Sequence, residues 1–208
     1  VKRIKGVKRP SLTPVMPGLN NMYILLDGGA NVDCRPDMLR QFAVMGSVYM
    51  NKIMGVDNPK VGLLNVGAEE KGRELEQETY ALLKNSTLNF TGNVEARNAA
   101  LGEVDVVVTD GFTGNIYLKT VEGMGKFMKA SLKKIFFRNL GTKIGAMFTM
   151  KGIKEISKQN NVTLIIRQHR QGVGEIFVFD CHIIALHMKM RLLGRILVQH
   201  IHLALLLL

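Results

Sequence analysis

Four short segments place Asp, Asn or Thr beside glycine directly after an apolar run: Asp27-Gly28-Gly29-Ala30-Asn31, Asn65-Val66-Gly67, Thr91-Gly92-Asn93 and Asp110-Gly111-Phe112-Thr113-Gly114-Asn115. Where strands of an open α/β sheet hand over to the next element, such loops line the ligand crevice. Glycine lets the backbone approach a ligand, and the amino end of a following helix offers unpaired N–H groups to an anion. The same residue types also serve plain turn chemistry wherever a strand ends. Four such loops in succession leave a binding site and a scaffold as equal readings.

Several chemistries are excluded. GxGxxG never follows a strand and GxxxxGK[ST] is missing, which argues against nicotinamide and P-loop nucleotide sites. GxSxG and HExxH are absent, and Cys34 and Cys181 match no metal or redox spacing, so no metal or cofactor is expected. All five histidines (His169, His182, His187, His200, His202) fall after Asn160. A chemistry that needs neither histidine nor metal is attack by bound phosphate on an already activated carbonyl. The protein then has only to bind an anion, orient the acyl group and stabilise the developing oxyanion. Lys71, Asn93, Thr113 and Asn115 offer suitable donors.

These loops must be carried by regular elements. Apolar runs at Tyr23 to Leu26, Val61 to Val66, around Leu88 to Phe90, and Val104 to Val108 read as strands buried on both faces. Between them, Pro36 to Met54 repeats apolar residues at helical spacing, and Arg73 to Lys84 has acids early and a lysine late, as the helix dipole favours. Strand and helix alternating at this spacing predict an α/β fold with a mostly parallel sheet flanked by helices. From Thr113 to Lys158 there are ten Lys or Arg and two acids, interleaved with residues such as Phe127, Leu132, Phe136 and Phe148. That pattern predicts basic amphipathic helices, either packed on a core with a solvated face or docking onto an acidic partner or anionic membrane. Nucleic acid is the poorer fit, because the aromatics sit among aliphatics at helical spacing.

The formal net charge of +11 on 208 residues suits an anionic partner of some kind without choosing one. Cysteine usage fits a reducing, cytoplasmic setting. VKRIKGVKRP lacks the apolar stretch of a signal peptide and reads as the interior of a longer chain.

Several stretches resemble the PlsX-type phosphate acyltransferases: KGVKRPSLTPVMP, ILLDGGANVDCRPDMLRQFAVMGSVY, VGLLNVGAEEKGREL, FTGNVEAR and VDVVVTDGFTGNIYLKTVEG. They follow one another in family order over residues 5 to 125, with a fainter continuation to 159. The resemblance implies a fold akin to the isocitrate dehydrogenase and phosphotransacetylase group, a homodimer, and no metal or cofactor. It further implies conversion of acyl thioester on acyl-carrier protein plus inorganic phosphate into acyl phosphate. Such enzymes work peripherally at the membrane and feed a glycerol-phosphate acyltransferase in phospholipid synthesis. Carried onto this sequence, the matching positions are Asp27, Asn31 and Asp33 in the first loop, Lys71 in the second, Asn93, Glu95 and Arg97 in the third, and Asp110, Gly111, Thr113, Gly114 and Asn115 in the fourth. Lys71, Asn93 and Asn115 are expected as phosphate or oxyanion donors. Asp110 and Glu95 either orient those donors or serve as caps and ion-pair partners, and Arg97 has the same two readings.

The sequence departs from the family in places. Gly28 stands where a bulky aliphatic residue is expected, and the AEEKG loop is a residue shorter than usual. The resemblance also implies a missing N-terminal third that faces the same cleft. Composition breaks near Asn160, giving a partial acyltransferase domain over residues 1–159 and an atypical tail over 160–208. A reading-frame error explains that break, with a membrane-interface helix as its rival. An inactive fragment acting at most as a dimerisation or membrane-surface module is the alternative to the enzyme.

Overall fold

A computed structural model describes residues 6–19 and 21–159. The expected tail of 160–208 lies outside the described residues. Two compact units divide the chain after Asn115.

The first unit is built on a five-stranded sheet. β1 (Val15–Pro17), β2 (Met22–Leu26), β3 (Val61–Leu64), β4 (Phe90–Val94) and β5 (Val106–Val108) lie in the order β1-β2-β5-β3-β4. Only β1 pairs antiparallel; β2 with β5, β5 with β3, and β3 with β4 are parallel. Ile24 faces Val106 and Leu26 faces Val108 in the central pair. Parallel neighbours need crossovers. These are supplied by α1 (Pro36–Lys52), α2 (Glu74–Lys84) and the short α3 (Ala96–Leu101).

Every second residue of the central strands (Ile24 and Leu26, Val61 and Leu63, Val106 and Val108) joins one apolar cluster with Leu39, Phe42, Met45 and Tyr49 of α1. Fully burying such side chains contributes about 1.5–3 kcal/mol each. Leu25 and Val107, pointing the other way, are equally buried, as a sheet covered on both faces requires. α1 starts with Pro36 in its first turn, carries Asp37 there and ends on Lys52, matching the helix dipole at both ends.

Three elements differ from expectation. Thr91-Gly92-Asn93 lies inside β4, not after it. β4 is an edge strand, so polar residues are tolerated, and the Thr91 hydroxyl donates to the Val61 carbonyl (3.1 Å). β1 is three residues ending in proline, which a sheet edge accommodates. α3 is six residues, stopped by Gly102 in the left-handed region (φ 92°).

α4 (Gly111–Phe136) opens in the first unit and runs on into the second, where it is followed by α5 (Leu140–Gln159). The expected basic amphipathic helices are these two. Met124, Phe127, Ile135, Leu140, Met147 and Phe148 are exposed on them. Among the described residues no helix is long and apolar enough to cross a membrane.

Candidate active site

Parallel strands bring their carboxyl ends to one edge, so the loops after β2, β3, β4 and β5 gather there. The first loop is organised by Asp27, which is fully buried. Its Oδ1 accepts the amides of Leu12 (2.8 Å), Gly29 (3.2 Å) and Ala30 (3.1 Å). Its Oδ2 accepts the Asn31 amide (2.6 Å) and the Asn31 side-chain Nδ2 (2.7 Å). With both oxygens filled, Asp27 holds the loop and presents no acceptor to a ligand. Asn31 Nδ2 also donates to the Pro10 carbonyl (2.7 Å), tying the loop to the segment before β1.

α4 begins on top of this loop. Gly111 N–H donates to the Asn31 carbonyl (2.8 Å), and a Cβ on Gly111 would overlap the Asn31 backbone. A Cβ on Gly114 would overlap the Asp27 carbonyl oxygen and reach 2.9 Å from Thr109 Cγ2. Both glycines are therefore needed for close approach of helix and loop. Asp110 caps the helix: Oδ1 accepts the Thr113 amide (2.6 Å), satisfying one of the open donors at the helix start. Asn115, exposed, lies against Gly29, and neither its amide nor the Thr113 hydroxyl has a hydrogen-bond partner among the described residues.

Gly28 has a structural reason. Its amide donates to the Leu12 carbonyl (2.7 Å), and a Cβ would sit 2.9 Å from Pro14 Cδ. A bulky residue would push β1's approach segment away.

The second loop is pinned by two strand-end asparagines. Asn65 Nδ2 donates to the Lys71 carbonyl, and Asn93 Nδ2 donates to the Glu69 carbonyl (2.6 Å). Asn93 Oδ1 is buried without a partner among the described residues. Asn93 thus holds the Lys71 loop by its one amide group. Lys71 Nζ pairs with Glu69 (3.1 Å), both side chains well exposed, and this hydrogen bond holds the Glu69 carboxyl below its ordinary range. Lys84 does the same for Glu70 (3.0 Å).

Arg73 joins the second loop to the fourth. It ion-pairs with Glu76 of α2 and, at 2.6 Å, with Asp110. Glu76 first and Asp110 second drive its guanidinium still further towards the charged form. Asp110 therefore faces α4 with one oxygen and Arg73 with the other. Sequence reasoning missed Arg73 and Glu69, and marked Asn65 only as part of the strand-end segment Asn65-Val66-Gly67, without a role.

The remaining expected positions stand apart. Glu95 precedes α3 and pairs with Arg97 (3.2 Å), whose Nε also reaches Asn98 (3.2 Å). Asp33 is exposed. Cys34 donates to the Asn31 carbonyl (3.3 Å), and burial, reinforced by Asp27, Asp110 and Asp33, pushes its thiol up to about 11. The structure therefore brings Asp27, Asn31, Asp110, Gly111, Thr113, Gly114 and Asn115 into one knot, and links Lys71 and Asn93 through the Glu69 backbone. Among the described residues no cluster of His, Cys, Asp or Glu is arranged to hold a metal ion.

A family model described as "Fatty acid synthesis protein" matches residues 1–181. A phosphate acyltransferase of Thermoanaerobacterium thermosaccharolyticum is 52% identical over 164 residues, covering 78% of this chain and 49% of the relative. One of Clostridium tetani is 49% identical over 162 residues, covering 77% and 48%. The chain thus spans about half the length of the curated relatives it matches. Among solved structures, a phosphotransacetylase of Streptococcus pyogenes aligns with a TM-score of 0.48 at 23% identity, covering 61% of this chain and 45% of that one. The chain belongs to the fatty acid synthesis protein family, among relatives that carry the name phosphate acyltransferase.

Proposed function

We propose that the chain is part of an acyltransferase that forms acyl phosphate from long-chain acyl thioester on acyl-carrier protein and inorganic phosphate, feeding phospholipid synthesis. The observation that carries this reading is the knot at the start of α4. There the Asn115 amide and the Thr113 hydroxyl are left without partners beside a helix amino end that is positive by its dipole. Neutral donors of this kind, carried on the first turn of α4, suit an oxyanion that develops during attack on a thioester. Phosphate supplies the nucleophile, so its oxygen forms the new bond to the acyl carbon as the thiolate leaves on the carrier. Lys71 sits on the neighbouring loop as a point charge paired with Glu69, Asn93 positions that loop, and Asp110 orients the helix start.

The full-length protein should consume acyl-carrier-protein thioester only when phosphate is present, and Lys71→Ala should lower that rate. Turnover independent of phosphate would overturn the reading.

The exposed apolar and basic residues of α4 and α5 support a second role for the same polypeptide, as a surface for a second copy, the acidic carrier protein or an anionic membrane next to a glycerol-phosphate acyltransferase. Binding of the 208-residue chain to anionic but not neutral liposomes, without acyl phosphate formation, would favour the inactive module over the enzyme.

A further inference from the structure

The knot at the strand ends is poor in free positive charge. Asp27, Asp33 and Asp110 all lie close enough to act on the Cys34 thiol, Arg73 is held by two carboxylates, and Lys71 is paired with Glu69. Basic side chains gather instead where the segment before β1 meets the start of α1. A cavity of about 470 Å³ there is lined by Lys8, Arg9, Pro10, Arg35 and Met38, with no carboxylate in its wall. A second cavity of about 480 Å³ shares Arg9, Arg35 and Met38 with it and reaches Asn31 and Asp33. Lys8 and Arg35 both pair with one carboxylate, Asp37, the latter at 3.5 Å. Arg9 has no ion-pair partner among the described residues. Asp37 thus pairs with two of the three cations, and Asp33 is the carboxylate of the second cavity.

This wall is fixed in place although it belongs to no helix or strand. Gln41 of α1 accepts the Lys8 amide (2.9 Å) and donates to the Gly6 carbonyl (3.1 Å), and Asn31 holds the Pro10 carbonyl from the other end. Arg9 is carried between these anchors. Opposite it, Arg35 stands at the start of α1, where Pro36 has no N–H and the Met38 and Leu39 amides donate to the Arg35 carbonyl (2.9 and 3.2 Å), so it is the arginine side chain that the helix start offers to the groove. An arginine fork matches phosphoryl oxygens two at a time, and a cavity of several hundred Å³ is of the size that organic ligands occupy.

We infer that the groove between Lys8–Pro10 and the start of α1 binds a phosphoryl dianion, with Arg9 as its principal ligand and Arg35 as the second. Two sources share this chemistry: free inorganic phosphate, and the phosphate of a monoester whose organic part lies along Pro10 and Met38. The inference deepens the acyl phosphate reading but stands on binding alone, and product formation by the full-length protein tests that reading separately.

Calorimetric titration of the 208-residue chain with potassium phosphate, and in parallel with butyl phosphate, at constant ionic strength set by chloride, tests it. Saturable binding is expected, weakened at least tenfold by Arg9→Gln, severalfold by Arg35→Gln, and unchanged by Lys60→Gln, an exposed lysine outside the groove. Arg9→Lys, which keeps the charge but loses the fork, should fall between wild type and Arg9→Gln. Circular dichroism checks that each variant stays folded, and Arg9→Lys keeps the test open if Arg9→Gln does not. Tighter binding of butyl phosphate assigns the groove to a monoester; equal or weaker binding assigns it to inorganic phosphate. Absence of saturable binding in wild type, or binding by Arg9→Gln as tight as by wild type, overturns the inference.

Discussion

Replacing Gly114 by alanine should destabilise the protein, although alanine is the better helix former by about 1 kcal/mol. The new methyl would overlap the Asp27 carbonyl oxygen and press on Thr109 Cγ2. Neither neighbour can retreat easily, because Asp27 N–H donates to the Thr109 carbonyl (3.0 Å) and Thr109 N–H to the Leu26 carbonyl (2.6 Å) within the sheet's edge. The first turn of α4 must lift instead, stretching the Gly111 to Asn31 bond and the Asp110 cap on Thr113. Overpacking of this kind costs about 1–3 kcal/mol and a lost cap about 1 kcal/mol. Against the helix preference, a net loss of about 2 kcal/mol remains. With a urea m-value of about 1–3 kcal/mol/M, the unfolding midpoint should drop by about 1 M. Gly125→Ala is the control on the same helix: a Cβ there meets nothing within 4 Å, so only propensity acts and the midpoint should rise slightly. Equal shifts of the two variants, or a gain for Gly114→Ala, would refute the packing argument.

Arg73→Gln leaves Asp110 and Glu76, both buried, without their shared cation. Losing one partner of a buried pair costs about 3–5 kcal/mol, but the Arg73 side chain is 59% exposed and screening reduces this to about 1–2 kcal/mol, measurable by urea unfolding. Lys71→Ala, by contrast, removes an exposed ion pair and should change the unfolding free energy by less than about 0.5 kcal/mol while lowering turnover of the full-length protein at least tenfold. Cys34 should resist alkylation: with its thiol pushed up from 9.0 to about 11, the reactive thiolate at pH 8 is about 100-fold scarcer than in a free thiol. Iodoacetamide labelling in a Cys181→Ser background should keep accelerating up to about pH 11. Because the folded state holds this proton more tightly than the unfolded chain, the thiol's contribution to stability is present below pH 9 and is lost as pH rises through 11.

The central sheet was legible because its strands are apolar over their whole length, as Val106, Val107 and Val108 are, and because α1 announces itself with Pro36, Asp37 and a regular apolar stripe. β1 and α3 were not, since three and six residues carry no period to read. β4 was half legible: Asn93 looked like a loop residue because polar side chains on an edge strand resemble a turn. At the site, residue types alone marked the loops but not the roles within them. Asp27 looks like a ligand until its five donors are counted, and the bond from Arg73 to Asp110 joins residues 37 apart that no local pattern connects. Arg9 lay inside a recognised stretch, yet its lack of an ion pair among the described residues is a property of the folded neighbourhood.

Gln41 has a consequence of its own. By accepting from Lys8 and donating to Gly6 it acts as a stand-in for the peptide group of an adjacent strand, so an irregular stretch is bonded as though it lay in a sheet. The order of that stretch is then inherited from α1, whose Gln41 is itself buried. A ligand arriving at Arg9 meets a backbone whose conformational entropy was already given up when the helix docked, and only the arginine side chain remains to be stilled.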